Sequence, residues 1–399
     1  MDQYTFPDKL KRWTFILMAI GVIAMVVGFF TSGEHAGNRI WTNVLVNGFF
    51  FFGIGLAGTF FLALQFASHS GWSVVVKRVM EAVSAYMPIG AIFLILVFLG
   101  GTFEWHHIYH WMQEGVMDPT HADYDAIIKG KEPYLNQIFF WARTLVYLGV
   151  WSYFTYIFRK RSLEGDINGD DKFHMKNVVL SAIFLVFFGY TSMTASWDWL
   201  MSIDVHWFST IYGWYVFSGM WISGMIVMTV ITLYLKSLGH LPEVNDSHIH
   251  DLGKWVFGVS FLWSYLFFCQ FMLIWYANIP EEVTYYVARI DDYRWLFWGV
   301  FAINFVFPMI ILMSRDAKRN AKYLIPICVI IFIGHWLDTY LLITPGSMKQ
   351  DWHLNYVEIG MFLGFLGFFT FIVLTALSKR PLMVKNHPML NESLHHHIQ

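Results

Sequence analysis

Ten apolar runs separated by short polar stretches organise this chain, near 13–31, 42–68, 83–103, 136–158, 177–196, 208–236, 253–278, 294–314, 322–344 and 355–378. A helix rising ~1.5 Å per residue needs about 20 apolar residues to cross roughly 30 Å of hydrocarbon. Each run is of that order. Lipid offers no partner to an unpaired backbone N–H or C=O, and the in-and-out alternation of barrel strands is missing. The pattern therefore predicts an all-α polytopic membrane protein of about ten transmembrane helices, forming a single integral membrane domain over 1–399. The first run follows Lys9, Lys11 and Arg12, and no small-residue cleavage site ends it, so it is expected as a retained helix and not a removed signal peptide.

Composition sharpens this. Hydrophobic residues make up 57% of the 399 and charged residues 14%, against about 25% charged in a soluble domain. With a net charge of −2, nothing suggests nucleic-acid binding. Cys269 and Cys328 lie inside apolar runs without CxxC or Cys/His neighbours, which excludes a disulfide framework, a zinc site or an iron–sulfur cluster built on them. No Gly-rich phosphate loop is present, so ATP-driven work by this chain is not indicated.

Loops rich in Lys and Arg stay on the cytoplasmic side. Nineteen of the 26 such residues fall on one side, including Lys77, Arg78, the cluster from Arg159 to Lys176, and Arg315 to Lys322. That places both termini in the cytoplasm. Arg39, Lys129, Lys131, Arg289, Arg294 and Lys349 fall in the opposite loops and Arg143 inside the fourth helix. The outer segments, Glu104 to Pro133 above all, are rich in Trp, Tyr, His, Asp and Glu. They read either as a docking face or as an aromatic belt at headgroup level.

Helix pairs five/six and nine/ten share a plan, in "FFGYTSMTASWDWLMSIDVHWFSTIYG" and "FIGHWLDTYLLITPGSMKQDWHLNYVEIG". Each has a Gly-bearing helix, an acidic residue near its outer end, and an outer loop ending in Trp. Spacing by four helices preserves orientation, which predicts a parallel repeat of two four-helix bundles, about 42–196 and about 208–344, with helices one and ten peripheral.

Ionisable groups inside a bilayer cost ~2.5–3.5 kcal/mol by insertion scales, so each asks for a partner or a purpose. His335 and Asp338 share a face of helix nine, about 20–24 Å from its cytoplasmic end. Arg143, Glu358 and Asp198 sit at the same outer level. Such clustering suits a site that accepts a quinol proton and passes it outward; it also suits a structural ion-pair network. Both readings stand for His335 with Asp338, whereas charge balance of a buried carboxylate is the expected role of Arg143. Gln270, Tyr190, Thr191 and Thr194 are expected to hydrogen-bond between helices. His106 and His110, four apart, could present two metal ligands on one helical face, although histidine is ordinary at an interface. His335 is the only histidine deep in a span, so neither paired haem ligands nor any redox centre is expected in this chain. The pairs Glu281/Glu282 and Asp291/Asp292 read as solvated or contacting another subunit.

Three stretches carry a resemblance: "SWDWLMSIDVHWFSTIYG" (196–213), "FMLIWYANIPEEVTYYVAR" (271–289) and "GHWLDTYLLITP" (334–345). They resemble the NrfD/PsrC-like membrane subunits of bacterial alternative complex III, closest to the smaller of its two such subunits, and the likeness spans essentially the whole chain. It implies a quinol:electron-acceptor oxidoreductase of the bacterial inner membrane fed by menaquinol. Its implied partners are the larger NrfD-like paralogue, a multihaem cytochrome c and iron–sulfur subunits that carry the haem c and iron–sulfur clusters, and a terminal cytochrome oxidase beyond them, all among membrane lipids. On residue matching, Asp198, His335 and Asp338 are its candidate quinol-proximal or proton-path residues. Three functions stay open at this point: a subunit supporting assembly and conducting protons, the quinol-binding catalytic subunit itself, and a stand-alone proton-coupled secondary transporter. Against the last, no interrupted Gly/Pro helix pair is evident in the sequence.

Overall fold

The computed structural model describes residues 3–33 and 36–397. Among these, the long helices are α1 (Asp8–Thr31), α2 (Ala36–Ala67), α3 (Trp72–Thr102), α4 (Gln137–Asn168), α5 (Lys172–Trp199), α6 (Tyr212–Ser237), α7 (Asp246–Ala277), α8 (Arg294–Ile311), α9 (Ala321–Met348) and α10 (Tyr356–Ser378). Nine of them are long and apolar enough to cross a membrane. The exception is α4, whose 32 residues include Arg143 and several Trp and Tyr that dilute its apolar character. The described residues contain no strand beyond one bridge between Gln3 and Pro381. That bridge joins the two terminal segments, so both lie at one end of the bundle, here the termini end; the long loops crowd the other, the loop end.

Helix starts follow from local chemistry. Asn136, Asn245, Asn320 and Asn355 each cap the helix that follows by accepting from free N–H groups of its first turn. At the other end of α4, Gly169 takes a left-handed conformation at φ 66°, where a side chain would be strained. Several helices overrun the apolar runs. Most notably, α3 starts at Trp72 instead of near 83, because Lys77, Arg78 and Glu81 are buried within its first turns and not solvated in a loop.

The central element is α2, which packs on α3 and α5 and, across the middle of the molecule, on α6 and α9. Around it α4 leans on α3 and α5, while α6 packs on α7 and α9, and α8 closes against α7 and α9. The α1/α10 pair lies outside, held by close backbone approach. A Cβ on Gly21 would stand 2.5 Å from the Cα of Gly364. Likewise a Cβ on Gly55 would stand 2.7 Å from the backbone nitrogen of Met87. Small residues permit this contact, which supplies packing where lipid gives no hydrophobic drive.

One helix is irregular. Within α8, Ala302–Val306 forms a π turn. Pro308 follows, and without an N–H it cannot bond the Asn304 carbonyl four residues back, which loosens the ladder there. The sequence shows no interrupted Gly/Pro helix pair, and this single irregularity is local and does not break the span.

Candidate functional site

Three carboxylates expected in the outer half of the bundle are all buried, and their partners differ. Asp198 ends α5 in a two-pronged ion pair with Arg143, whose Nε donates to Oδ2 and Nη2 to Oδ1, both at 2.8 Å. Arg143 also donates to the Tyr134 carbonyl at 3.1 Å and lies over the Tyr134 and Phe139 rings. Glu358, in the first turn of α10, is held in the same way by Arg39, with Nε to Oε1 and Nη2 to Oε2 at 2.8 Å. Asn43 adds a bond to Oε1 at 3.1 Å. Arg39 was expected in a loop, yet it is buried on α2. Each carboxylate thus meets an aligned guanidinium through two charge-assisted hydrogen bonds.

Asp338 on α9 is different. Tyr215 of α6 donates a hydrogen bond to Oδ1, and the Trp263 indole N–H of α7 donates to Oδ2 at 3.0 Å. Its partners are neutral. His335 Nδ1 stands 4.0 Å from Oδ2, beyond hydrogen-bond reach, and neither His335 nitrogen has a protein partner. Among the buried carboxylates of the described residues, Asp338 alone has no Lys or Arg paired to it. A carboxylate balanced by neutral donors in a low-dielectric setting can change charge far more readily than one clamped by arginine.

Asp338 opens onto a small cavity that it shares with Tyr215, Gln270, Tyr285, Tyr286 and Arg289, with room for about one water molecule. Arg289 belongs to a short helix, Pro280–Asp291, lying between α7 and α8. Its guanidinium donates to Asp204 at 3.1 Å and to the carbonyls of Tyr285, Leu341 and Leu342. The Leu341 carbonyl is free because Pro345, four residues on, has no N–H to give it. Proline in α9 thus creates the acceptor that anchors Arg289 beside Asp338. The Tyr285 ring is sandwiched, 3.3 Å from the guanidinium on one side and stacked at 3.8 Å on Trp207 on the other.

No protein-family model matches this chain, and no curated protein matches it significantly. The site is therefore read from its own geometry. Sequence reasoning found Asp198, Arg143, Glu358, His335 and Asp338, but the structure does not gather them into one place. It makes two separate ion pairs and one Asp338 pocket. Tyr215, Trp263, Arg289 and Asp204 were missed; the signal for Arg289 was Pro345, which announces a spare carbonyl in α9. Of the residues expected to link helices, Thr191 accepts from the Trp151 indole at 3.1 Å. Tyr190 instead points outward, and Gln270 lines the Asp338 cavity.

The expected helical face carrying His106 and His110 does not form, because the chain turns at Glu104 (φ 55°) and is irregular up to a single turn at His110–Met112. His106 Nε2 meets the Val97 carbonyl at 2.8 Å, and His110 bonds Gln113. Burial, only partly offset by that carbonyl, pushes the His106 imidazole down to about 4. Among the described residues no group of three or more His, Cys, Asp or Glu is placed to hold a metal.

Proposed function

We propose that this chain is an integral membrane subunit of a quinol-oxidising respiratory complex of the alternative complex III type, and that Asp338 is the group through which it passes protons near the loop end. The observation that carries this reading is convergence. The three stretches bearing the resemblance, 196–213, 271–289 and 334–345, are far apart in the chain, yet Asp204, Arg289 and the Leu341 and Leu342 carbonyls from them bond to one another beside Asp338. From Asp338 the next polar groups toward the termini end are His335 and, across Gly334, the Asn304 side chain, whose amide atoms lack a protein partner. On this reading menaquinol is oxidised at the larger NrfD-like paralogue or at its contact with this chain. Haem c and iron–sulfur clusters belong to partner subunits, and the positive residues at the termini end face the cytoplasm of a bacterial inner membrane.

A tag on this chain, gentle detergent extraction, a reduced-minus-oxidised haem spectrum and quinone extraction test the placement. Co-purifying haem c with quinol oxidase activity is the expected result; a colourless, solitary protein refutes it. Proton-coupled transport is the second reading, and the solitary protein would turn the question there. In the intact complex, Asp338→Asn is expected to lower turnover by about 100-fold, the low end for loss of a positioned proton-transfer group, without loss of subunits.

A further inference from the structure

The termini end holds a second, unrelated concentration of charge. Arg78, buried at the start of α3, is spent on Glu81 and Asp166. Its neighbour Lys77 is 6% exposed, and among the described residues no carboxylate lies within 4.0 Å of its ammonium. What it does have is the face of the Phe66 ring, 4.7 Å away. A buried ammonium with no carboxylate in direct contact is costly, and Glu81 acts on it only at longer range.

Lys77 lines a cleft between the ends of α2 to α5 and the C-terminal tail, together with Arg161, His174, Asn177, Lys385 and His387. Arg161 and Lys385 also lack a carboxylate within 4.0 Å among the described residues. Two acids line the cleft, and both are engaged. Asp166 pairs with Arg78 and accepts from the Lys385 backbone N–H at 3.1 Å, while Asp170 pairs with Lys172 at 2.5 Å. The His174 and His387 rings meet edge-on at 4.8 Å; both His174 nitrogens and the Asn177 Oδ1, the latter on a side chain 1% exposed, lack partners. Burial, then Lys77, His174 and Arg78, hold His387 down at about 2, so this imidazole is neutral. The unpaired charge is entirely cationic, with the Asn177 Oδ1 an acceptor left beside it.

We propose that this cleft binds a phosphate group, with Lys77, Arg161 and Lys385 supplying the charge and the His174 ring a further N–H. Several oxygens and a formal charge are what three cations with many N–H donors can satisfy together. As built, the cleft has room for about one water molecule. A phosphate therefore enters as the exposed Lys385 side chain swings outward and closes over it. The cleft sits where α3, α4 and α5 reach the membrane boundary, the level at which phospholipid headgroups offer this chemistry. A soluble phosphate or phosphate monoester offers it too.

The test uses the full chain in dodecyl maltoside micelles, which carry no phosphate, with phosphatidylglycerol mixed in or with inorganic phosphate added, and reads the melting temperature. A rise with phosphatidylglycerol alone assigns a lipid headgroup, and a rise with inorganic phosphate in lipid-free micelles assigns a soluble phosphate. In either case Lys385→Gln and Lys77→Met are expected to weaken the response about tenfold or more in ligand concentration. Lys9→Gln, at the same end but outside the cleft, should retain it. No shift with either probe, an undiminished shift in Lys385→Gln, or equal loss in Lys9→Gln overturns the proposal. Because Lys385 is exposed, its variant remains readable even if Lys77→Met fails to fold.

Discussion

Neutralising the three buried carboxylates one at a time separates their roles. In Asp198→Asn, Arg143 keeps its charge in a site where its side chain is 10% exposed, with no anion to balance it. Removing one member of a buried pair costs about 3–5 kcal/mol, most of it the penalty of the charge left behind. Glu358→Gln leaves Arg39, 8% exposed, in the same position, so a similar loss is expected. Asp338→Asn strands no charge. The amide oxygen still accepts from Tyr215, and the loss is confined to the Trp263 bond, whose N–H would face an amide N–H: about 1–2 kcal/mol. Reversible unfolding in mixed micelles gives the three values, and an Arg143→Gln/Asp198→Asn double variant should recover much of the single loss. If Asp338→Asn proves as damaging as Asp198→Asn, Asp338 is balanced by a charge and the argument for its titration fails.

Other outcomes follow from the same contacts. The His106 imidazole sits at about 4 against an ordinary 6.5. Its contribution is therefore fully present above pH 6.5 and is lost as pH falls toward 4, about 3 kcal/mol in all; stability against pH should be flatter by that amount in His106→Gln. Gly21→Val should cost ~1–3 kcal/mol or more by forcing α1 from α10, read as a lower unfolding midpoint. Ser393→Ala removes the hydroxyl that joins the Trp72 carbonyl and the Val75 N–H to the tail. It should cost about 1–3 kcal/mol and speed protease cleavage within 380–397.

What the sequence made legible follows from local rules. Apolar runs marked the helices, Asn136, Asn245, Asn320 and Asn355 stand at their starts, and charge in a span marked Asp338, Arg143 and Asp198 as needing partners. The partnerships themselves depend on distance through space. Arg39 and Glu358 are separated by 319 positions, and Arg39 reads as a loop cation because a basic residue next to polar ones looks the same whether water or a carboxylate receives it. Lys77 and Arg78 misled in the same way: counted toward charge bias, they extended a loop that is really the first turns of α3. Tyr215 and Trp263 carried no signal at all. In a chain with 19 Trp and 20 Tyr, an aromatic that holds a carboxylate cannot be told from one that meets lipid.

The comparison between the two halves gives the Asp338 reading its physical content. "SWDWL" in α5 and "GHWLD" in α9 place an acid near the loop end of helices that the sequence pattern predicts to be equivalent, so a common plan would give both the same partner. They do not share one. Asp198 meets Arg143 from α4, and the nearest analogue in the second half, Arg289, comes from a short helix and is drawn away to Asp204, the Leu341 carbonyl freed by Pro345 and the neighbouring Leu342 carbonyl. The Trp207–Tyr285 stack beneath it fixes that diversion. A few ångströms of guanidinium placement thus turn one acid into a strut and leave the other dependent on hydroxyl and indole donors. If Asp338 carries protons as proposed, placing a guanidinium beside it, through Tyr215→Arg or an equivalent reach from α6, should therefore abolish proton release by the complex while preserving the fold. A variant that still releases protons at the wild-type rate would show that Asp338 is structural after all.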